Sequence, residues 1–570
     1  MNNKVNVRVD AGNVIGAMEH TWNYVGYDEC NYTHSPGGIK LIKKLGELGK
    51  AAADTSSEAK AGFEGPLYIR AHHMLCTGIC HGFYKWGSTN AYIEDEGGAP
   101  VYNFDVIDKM CDIWLSSNCK PFFEIGFMPL DLADTRGAVD KVRYDIREYQ
   151  RIGWNMPPKD YDKWYALIEN MIHHLVTRYG AGEVESWYFE MWNEPDIFYW
   201  QGTHEEFCKL YDYTEAAVHA ALPGARFGGP ATCGGREPGG RAADYLRRFL
   251  LHCKSGKNYV TGQTGTRLDF TSFHTKGGGY GFTTGKKLER TPSVKSLLDQ
   301  VRVCGGVVKE CGYEGLECIL SEADPDGWAA GGRFDNPAFN FRNTEYYASY
   351  VASSYKGISD LAKEMGMDFR PLAWAFMFEG ERCFEGTRTF STQGIDKAMF
   401  NTFKMLAQLG QWRVGFDSSM DRSPLAFGDD WGTGEGEGAQ VGGWATLGGD
   451  SNETQAAQTL QAMIFCHEDT WAEDGIYTID FAAENLPFGG PYRIRHYRVD
   501  KDHSNAYAEW VRQGMPDYPE GAQYDAIKAR DGLEQLCPEA VIEQPMDGKI
   551  ALRFYMPVKS VSLIMIEKII

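Results

Sequence analysis

Between Ile15 and Leu409 the chain alternates short apolar runs with stretches of helical periodicity, and this alternation limits the fold more than any other feature. The apolar runs are Ile15–Glu19, Pro66–His72, Lys120–Met128, Trp187–Pro195, Ala225–Pro230, Leu268–His274, Leu316–Glu322 and Pro371–Phe378. The helical stretches are Gly38–Lys50, Phe104–Leu115, Asp160–Tyr179, Glu205–Ala221, Arg241–His252, Val294–Glu310, Thr344–Met365 and Lys397–Leu409. In Asp160–Tyr179 the residues Trp164, Leu167, Ile168, Met171, Leu175 and Tyr179 fall on one stripe, and Gly180 supplies a stop. Strict alternation of this kind demands parallel pairing through right-handed crossovers. Eight such units close on themselves, which predicts an α/β fold with a (β/α)8 TIM barrel over residues 11–410.

Past residue 410 the helical period fades. Strand-like runs take over at Ala457–His467, Gly475–Ala482, Tyr492–Val499, Lys549–Met556 and Ser560–Ile566. They predict a C-terminal β-sandwich over 411–570, completed by the N-terminal strand 1–10, where Val5, Val7 and Val9 alternate with polar residues. Gly432–Gly449 is Gly-rich and acidic. No following helix or Lys-Ser/Thr supports a phosphate site, so it is read as a loop between strands.

The net charge of −21 argues against a nucleic-acid partner. No apolar run approaches the ~18 residues of a membrane span, and the N-terminus lacks the apolar segment of a signal peptide. The fourteen cysteines are scattered, several within apolar segments, which favours reduced thiols and a cytoplasmic location. The oligomeric state is left open, a homo-oligomer included.

Two strand ends carry the chemistry. Asn193-Glu194-Pro195 closes the fourth run and Glu322 the seventh. An isolated Asn-Glu-Pro reads equally well as a turn; the second carboxylate decides, because all strand C-termini of a barrel face one mouth. Two carboxyl groups about 5–5.5 Å apart there serve a double-displacement glycosidase. One is protonated and assists departure while the other is ionised and attacks, and their mutual repulsion with burial keeps the two pKa values apart. His20, His72 and His274 close the first, second and sixth runs, with Arg70 placed to hold a carboxylate ionised. His72-His73 with Cys76 and Cys80 matches no common zinc spacing. No metal or cofactor is expected, since hydrolysis at two carboxylates requires none.

Several segments carry a family resemblance. Tyr102-Asn-Phe, Lys120-Pro-Phe-Phe-Glu124, Pro157–Trp164, Trp187–Pro195, Gly229–Gly235 and Tyr497–Tyr507 resemble bacterial β-xylosidases of glycoside hydrolase family 39. Arg267–Gly277 and Ser321–Trp328 are more similar to the α-L-iduronidases of that family. The resemblance implies Glu194 as acid/base and Glu322 as nucleophile. It makes Asn193 the partner of the sugar 2-hydroxyl, His274 a group beside nucleophile and sugar, and Arg70 and His72 polar residues closing the second strand. His20 and Trp328 join the substrate-binding set. Lys276 matches the lysine that binds the sugar carboxylate in iduronidases, with Arg388 as a second carboxylate partner.

Two departures bear on the sugar. Thr275-Lys-Gly-Gly-Gly279 stands where the xylosidases have an aromatic-rich loop, and Ala323–Trp328 is one residue shorter than the iduronidase loop and more acidic. An added acidic residue opposes uronate binding by like-charge repulsion. The expectation is a retaining exo-glycosidase of β-D-xylosidase type on plant-derived oligosaccharides, with an α-L-iduronidase-like or arabinosidase activity as the alternative. A non-catalytic carbohydrate-binding barrel and a glycosyl transferase are the rivals from other classes.

Overall fold

The computed structural model describes residues 3–50, 62–80, 87–135, 153–278, 292–375, 379–428, 438–449, 454–471, 475–543 and 548–569. Eight parallel strands close into a barrel: β1 (Tyr24–Glu29), β2 (Leu67–His72), β3 (Cys119–Ile125), β4 (Tyr188–Met191), β5 (Arg226–Thr232), β6 (Phe270–Lys276), β7 (Glu317–Asp324) and β8 (Asp368–Ala375). Each pairs with its sequence neighbours, and β8 returns to β1 through Leu372 opposite Tyr24. The end of the eighth expected run, residues 376–378, lies outside the described residues.

The first barrel strand is Tyr24–Glu29 and not Ile15–Glu19 as expected. A strand of a parallel barrel is covered on both faces and must be apolar throughout. Tyr24, Val25 and Tyr27 are buried, whereas Val14 and Ile15 are exposed. Residues 15–17 instead end a long strand, Lys4–Ala17, which pairs antiparallel with Trp412–Ser418 and parallel with Ile476–Glu484.

That long strand belongs to a ten-stranded sheet. Val5, Val7 and Val9 share one core with Val414, Leu460, Ile464, Phe481, Ile494 and Ile566. Strands far apart in the sheet order therefore face each other, because the sheet curls over a common interior as the sandwich pattern requires. Gln440–Gly448 is a central strand of this sheet and is buried on both faces. The loop expected over Gly432–Gly449 is corrected there, while 432–437 lie outside the described residues. Its glycines misled the reading; Gly443 is required because a Cβ there would meet the Met463 carbonyl oxygen at 2.0 Å.

The helix Glu345–Met365 lies between barrel and sheet, touching β8, Gln440–Gly448, Thr459–His467 and Ser560–Lys568. It is buried over most of its length for that reason, and Gly366, at φ +66°, ends it in a left-handed turn. Two short helices, Ala506–Arg512 and Gly521–Lys528, return to the barrel side and pack Trp510 and Ile527 against Cys383, Phe384 and Ile395. Among the described residues no helix is long and apolar enough to cross a membrane.

Candidate active site

The barrel interior just below its mouth is a charged layer inside an apolar wall. Glu124 on β3 and Glu190 on β4 are register partners, and both are fully buried. Two buried carboxylates need cations within reach, or burial drives them neutral. Arg70 on β2 reaches Glu190 at 2.5 Å and Glu124 at 2.8 Å, and its Nη2 donates to Asn193 Oδ1 at 3.2 Å. His72 Nδ1 stands 2.5 Å from Glu124 Oε2. Burial alone would strip the His72 proton, but the Glu124 carboxylate outweighs it and pushes the imidazole pKa up to about 9.

Above this layer Glu322, near the end of β7, is almost enclosed. Its Oε1 lies 3.5 Å from both Arg70 Nη1 and His72 Nε2. Its Oε2 lies 2.5 Å from Lys276 Nζ and 3.7 Å from His274 Nδ1. Burial opposes the charge of Glu322. His274, Lys276 and His72 together overcome it and hold the carboxyl well below the usual range.

Glu194 enters from the other side of the mouth. His274 Nδ1 stands 3.0 Å from its Oε1, and the Glu194 N–H donates to the Ala231 carbonyl at 2.8 Å. Burial raises the Glu194 pKa and the nearby Glu322 charge adds to this, but the His274 contact prevails and the net shift is downward. Trp192, Glu194 and Ala231 have φ of +65°, +42° and +53°, left-handed values that side chains other than glycine rarely take. Such residues cost about 1–3 kcal/mol each and cluster where a side chain must be aimed. Here the turn after β4 swings the chain off its strand so that Glu194 faces the mouth.

A chain of ion pairs backs one wall. Lys276 Nζ contacts Asp324 Oδ2 as well as Glu322. Arg388 Nη2 reaches Asp324 at 3.1 Å and its Nη1 reaches Asp326 at 3.2 Å. Arg342 closes the chain with a two-pronged contact to Asp326 at 2.6 and 3.0 Å. Asp324, Asp326, Arg342 and Arg388 are all buried. The two arginines outweigh burial and keep the Asp326 carboxyl below its ordinary pKa.

These groups surround a cleft at the barrel mouth. Asn193, Glu194, Glu322, His72, Trp328 and Arg388 line it directly. Arg70, His274 and Lys276 stand one contact behind, each touching Glu194 or Glu322. His20 is corrected: it precedes β1, at the opposite end of the barrel from the mouth. Its Nε2 lies 3.3 Å from the Leu409 carbonyl and its ring packs on Trp22 and Phe63. The misplaced first strand carried His20 into the expected site with it.

Correct placement of β1 brings Asp28 and Glu29 to the cleft instead, with Trp374 from β8 and Ile197, Phe198 and Tyr199 from the turn after Glu194. The sequence did carry a signal for Glu124 and Glu190, since each follows large apolar residues, Phe122-Phe123 and Tyr188-Phe189. Asp28-Glu29 follows the run Tyr24-Val-Gly-Tyr27 and breaks its apolar character. His73 Nδ1 is 3.4 Å from Cys76 Sγ, but among the described residues no group of three or more His, Cys, Asp and Glu side chains could hold a metal ion.

Residues 48–546 match the model of glycosyl hydrolases family 39. A β-xylosidase of Geobacillus stearothermophilus is 27% identical over 521 residues, covering 90% of this chain and 88% of that protein. The human α-L-iduronidase is 30% identical over 234 residues, which is 40% of this chain and 30% of the relative. A solved structure described as the bacterial orthologue of human α-L-iduronidase superposes with a TM-score of 0.76 at 19% identity, covering 100% of this chain and 85% of its own. The last of these shows the fold alone, while the family match spans most of the length: the chain belongs to glycosyl hydrolases family 39 and is a glycoside hydrolase.

Proposed function

We propose that the chain is a retaining exo-glycosidase in which Glu322 is the nucleophile and Glu194 the acid/base. The observation that carries this is the shared nitrogen: His274 Nδ1 is 3.0 Å from Glu194 and 3.7 Å from Glu322. Two oxygens so placed cannot be further apart than the sum of those distances. That is short of nearly all of the about 6.5–9.5 Å range of inverting enzymes and compatible with the about 5–5.5 Å of retaining ones.

Glu322, held ionised by its cationic neighbours, attacks the anomeric carbon. Glu194, whose pKa is lowered less than that of Glu322, carries the proton of the pair and gives it to the departing oxygen, and the first product leaves. Glu194, now a carboxylate, takes a proton from water as the water displaces Glu322, so the anomeric configuration is restored. His274 serves both halves by supporting the charge on either carboxylate. Arg70 fixes the Asn193 oxygen, which turns the Asn193 amide nitrogen toward the sugar 2-hydroxyl.

The sugar we assign is a neutral pentopyranose, β-D-xylose first. The cations that would meet a uronate carboxylate, Lys276 and Arg388, are already paired with Asp324 and Asp326. The cleft adds Asp28, Glu29, Glu194 and Glu322, so a further anion is repelled. The β-xylosidase likeness over most of the chain supports the same choice. A cytoplasmic location is part of this proposal, because buried thiols such as Cys304, Cys318 and Cys466 are best kept in a reducing compartment.

A panel of aryl β-D-xyloside, α-L-arabinoside, β-D-galactoside and α-L-iduronide tests the reading, with NMR of the first-formed anomer. The xyloside should be turned over fastest, with retention. Preferred turnover of the iduronide overturns the sugar assignment. Inversion overturns the mechanism, and sugar binding without hydrolysis of any glycoside overturns both.

A further inference from the structure

The turn that carries Glu194 runs directly into the cleft wall. The Ile197 N–H donates to the Glu194 carbonyl at 3.1 Å, and Ile197, Phe198 and Tyr199 then line the cleft. Phe198 is 49% exposed, the one large apolar ring of that degree of exposure among the cleft-lining residues described. It is nonetheless held. Its ring stacks on Tyr199 at 4.5 Å between centroids, and Tyr199 stacks on Phe127 at 5.7 Å. Trp154 meets both Tyr199 and Phe127 edge-on, at 5.6 and 4.9 Å. The backbone is held as well: the Phe198 carbonyl accepts from Asn155 Nδ2 at 2.9 Å and Gln201 Nε2 at 3.2 Å, and the Tyr199 carbonyl accepts from Trp192 Nε1 at 2.9 Å. An apolar face left in water, with its orientation set by half-buried Tyr199 and the buried rings of Phe127 and Trp154 behind it, is a surface prepared for a flat partner.

The position of Glu194 says which partner. In the reaction proposed above this carboxyl must point at the oxygen that joins the terminal sugar to the rest of the glycoside. Groups that continue from Glu194 toward solvent therefore lie on the leaving-group side. Glu322, His72, Arg70 and Trp374 lie on the side of the sugar that stays. We propose that Phe198 is the platform of a leaving-group subsite, on which the departing pyranose lays its C–H face. The subsite makes the enzyme favour a sugar over a small alcohol as leaving group, and it rests on the glycosidase reading. Pinning the leaving sugar over the ring also lines up its glycosidic oxygen with Glu194, so the contact acts on binding before it acts on chemistry.

The test compares leaving groups on one terminal sugar. Methyl glycoside, phenyl glycoside and disaccharide are assayed with wild type, Phe198→Ala, Phe198→Leu and Phe198→Tyr. The terminal sugar is whichever the panel above shows to be turned over, so an error in the sugar assignment leaves this result intact. The ratio of kcat/KM for disaccharide over methyl glycoside should fall about five- to tenfold in Phe198→Ala and in Phe198→Leu, mainly through KM. It should stay within about twofold in Phe198→Tyr, which keeps the flat face. Phe198→Leu fills the site without a ring, so it serves should the alanine variant fold poorly. Parallel losses on methyl glycoside and disaccharide would mean that Phe198 only supports Glu194, and an unchanged ratio would mean no subsite; either overturns the proposal. A loss on phenyl glycoside with none on disaccharide overturns the pyranose as occupant. If no glycoside is turned over, the glycosidase reading has failed, and the same ratio is read from dissociation constants by calorimetry.

Discussion

His274 and Glu194 meet at 3.0 Å across the mouth of the barrel, although 80 positions separate them in the chain. The histidine lies near the end of β6, and the glutamate follows β4 through a turn of left-handed residues. This contact lowers the Glu194 pKa, and the same imidazole helps hold Glu322 ionised. One side chain thus favours the charged form of both carboxylates, and its removal should be legible in the pH profile.

In His274→Ala both carboxyl groups lose a neighbour that favours their charged form, so both pKa values rise. The acid limb of kcat/KM, set by protonation of Glu322, moves to higher pH. The alkaline limb, set by loss of the Glu194 proton, moves to higher pH too. The whole bell should therefore shift upward relative to wild type. A fall in amplitude at a fixed optimum would show that His274 acts only on the sugar.

The two carboxylates should fail differently. Glu322→Ala should lose at least ~10⁴-fold in kcat on every glycoside, since no covalent intermediate forms. Glu194→Ala should lose about 10²–10⁴-fold on sugar leaving groups and far less on dinitrophenyl glycosides, whose departure needs little protonation. Stopped-flow measurement of the first-step burst on both substrate types checks this, and equal losses would contradict the roles given.

Asp326 should matter for stability. Arg342 and Arg388 are buried and both rely on it. Removing one partner of a buried pair leaves an uncompensated charge, at a cost of about 3–5 kcal/mol. Asp326→Ala should lower the midpoint of urea unfolding accordingly, while Asp326→Asn, which can still accept hydrogen bonds, should lose less.

Gly26 should tolerate no side chain. A Cβ there would stand 2.3 Å from the Trp374 ring, which lies against His72 at 4.4 Å and beneath Arg70 at 5.0 Å. Gly26→Ala must displace that tryptophan from the cleft. It should raise KM on every glycoside several-fold and change the tryptophan fluorescence.

His20→Ala should leave kcat/KM within about twofold of wild type and cost at most about 1 kcal/mol in unfolding experiments, since only a backbone contact and ring packing are lost. A large rise in KM would return His20 to the site.

Much of this protein can be read from its residues in order. The alternation of apolar runs with helical stripes specifies a parallel barrel, because parallel strands need crossovers and covered faces. Glu194 and Glu322 stand out because charge at a strand end, after an apolar run, has to face the mouth. The reading failed where periodicity was ambiguous. Val14 and Ile15 look as apolar as any barrel strand, but they lie near the end of a strand of the other sheet, and the error moved His20 into the site and left out Asp28 and Glu29. Gln440–Gly448 was hidden by glycines whose use, close approach to the next strand, shows only in the folded sheet.

Which oxygen faces which cation was never written along the chain. The pairing of Lys276 with Asp324, of Arg388 with Asp326, and of His274 with both glutamates arises from strands that meet only when the barrel closes. Local sequence can determine where a strand begins, which side chains it buries and that a carboxylate ends it, because these depend on neighbours a few residues away. The charge state of that carboxylate depends on atoms a few ångströms away in space, and those belong to other strands. The chemistry of this site was therefore decided by the tertiary fold.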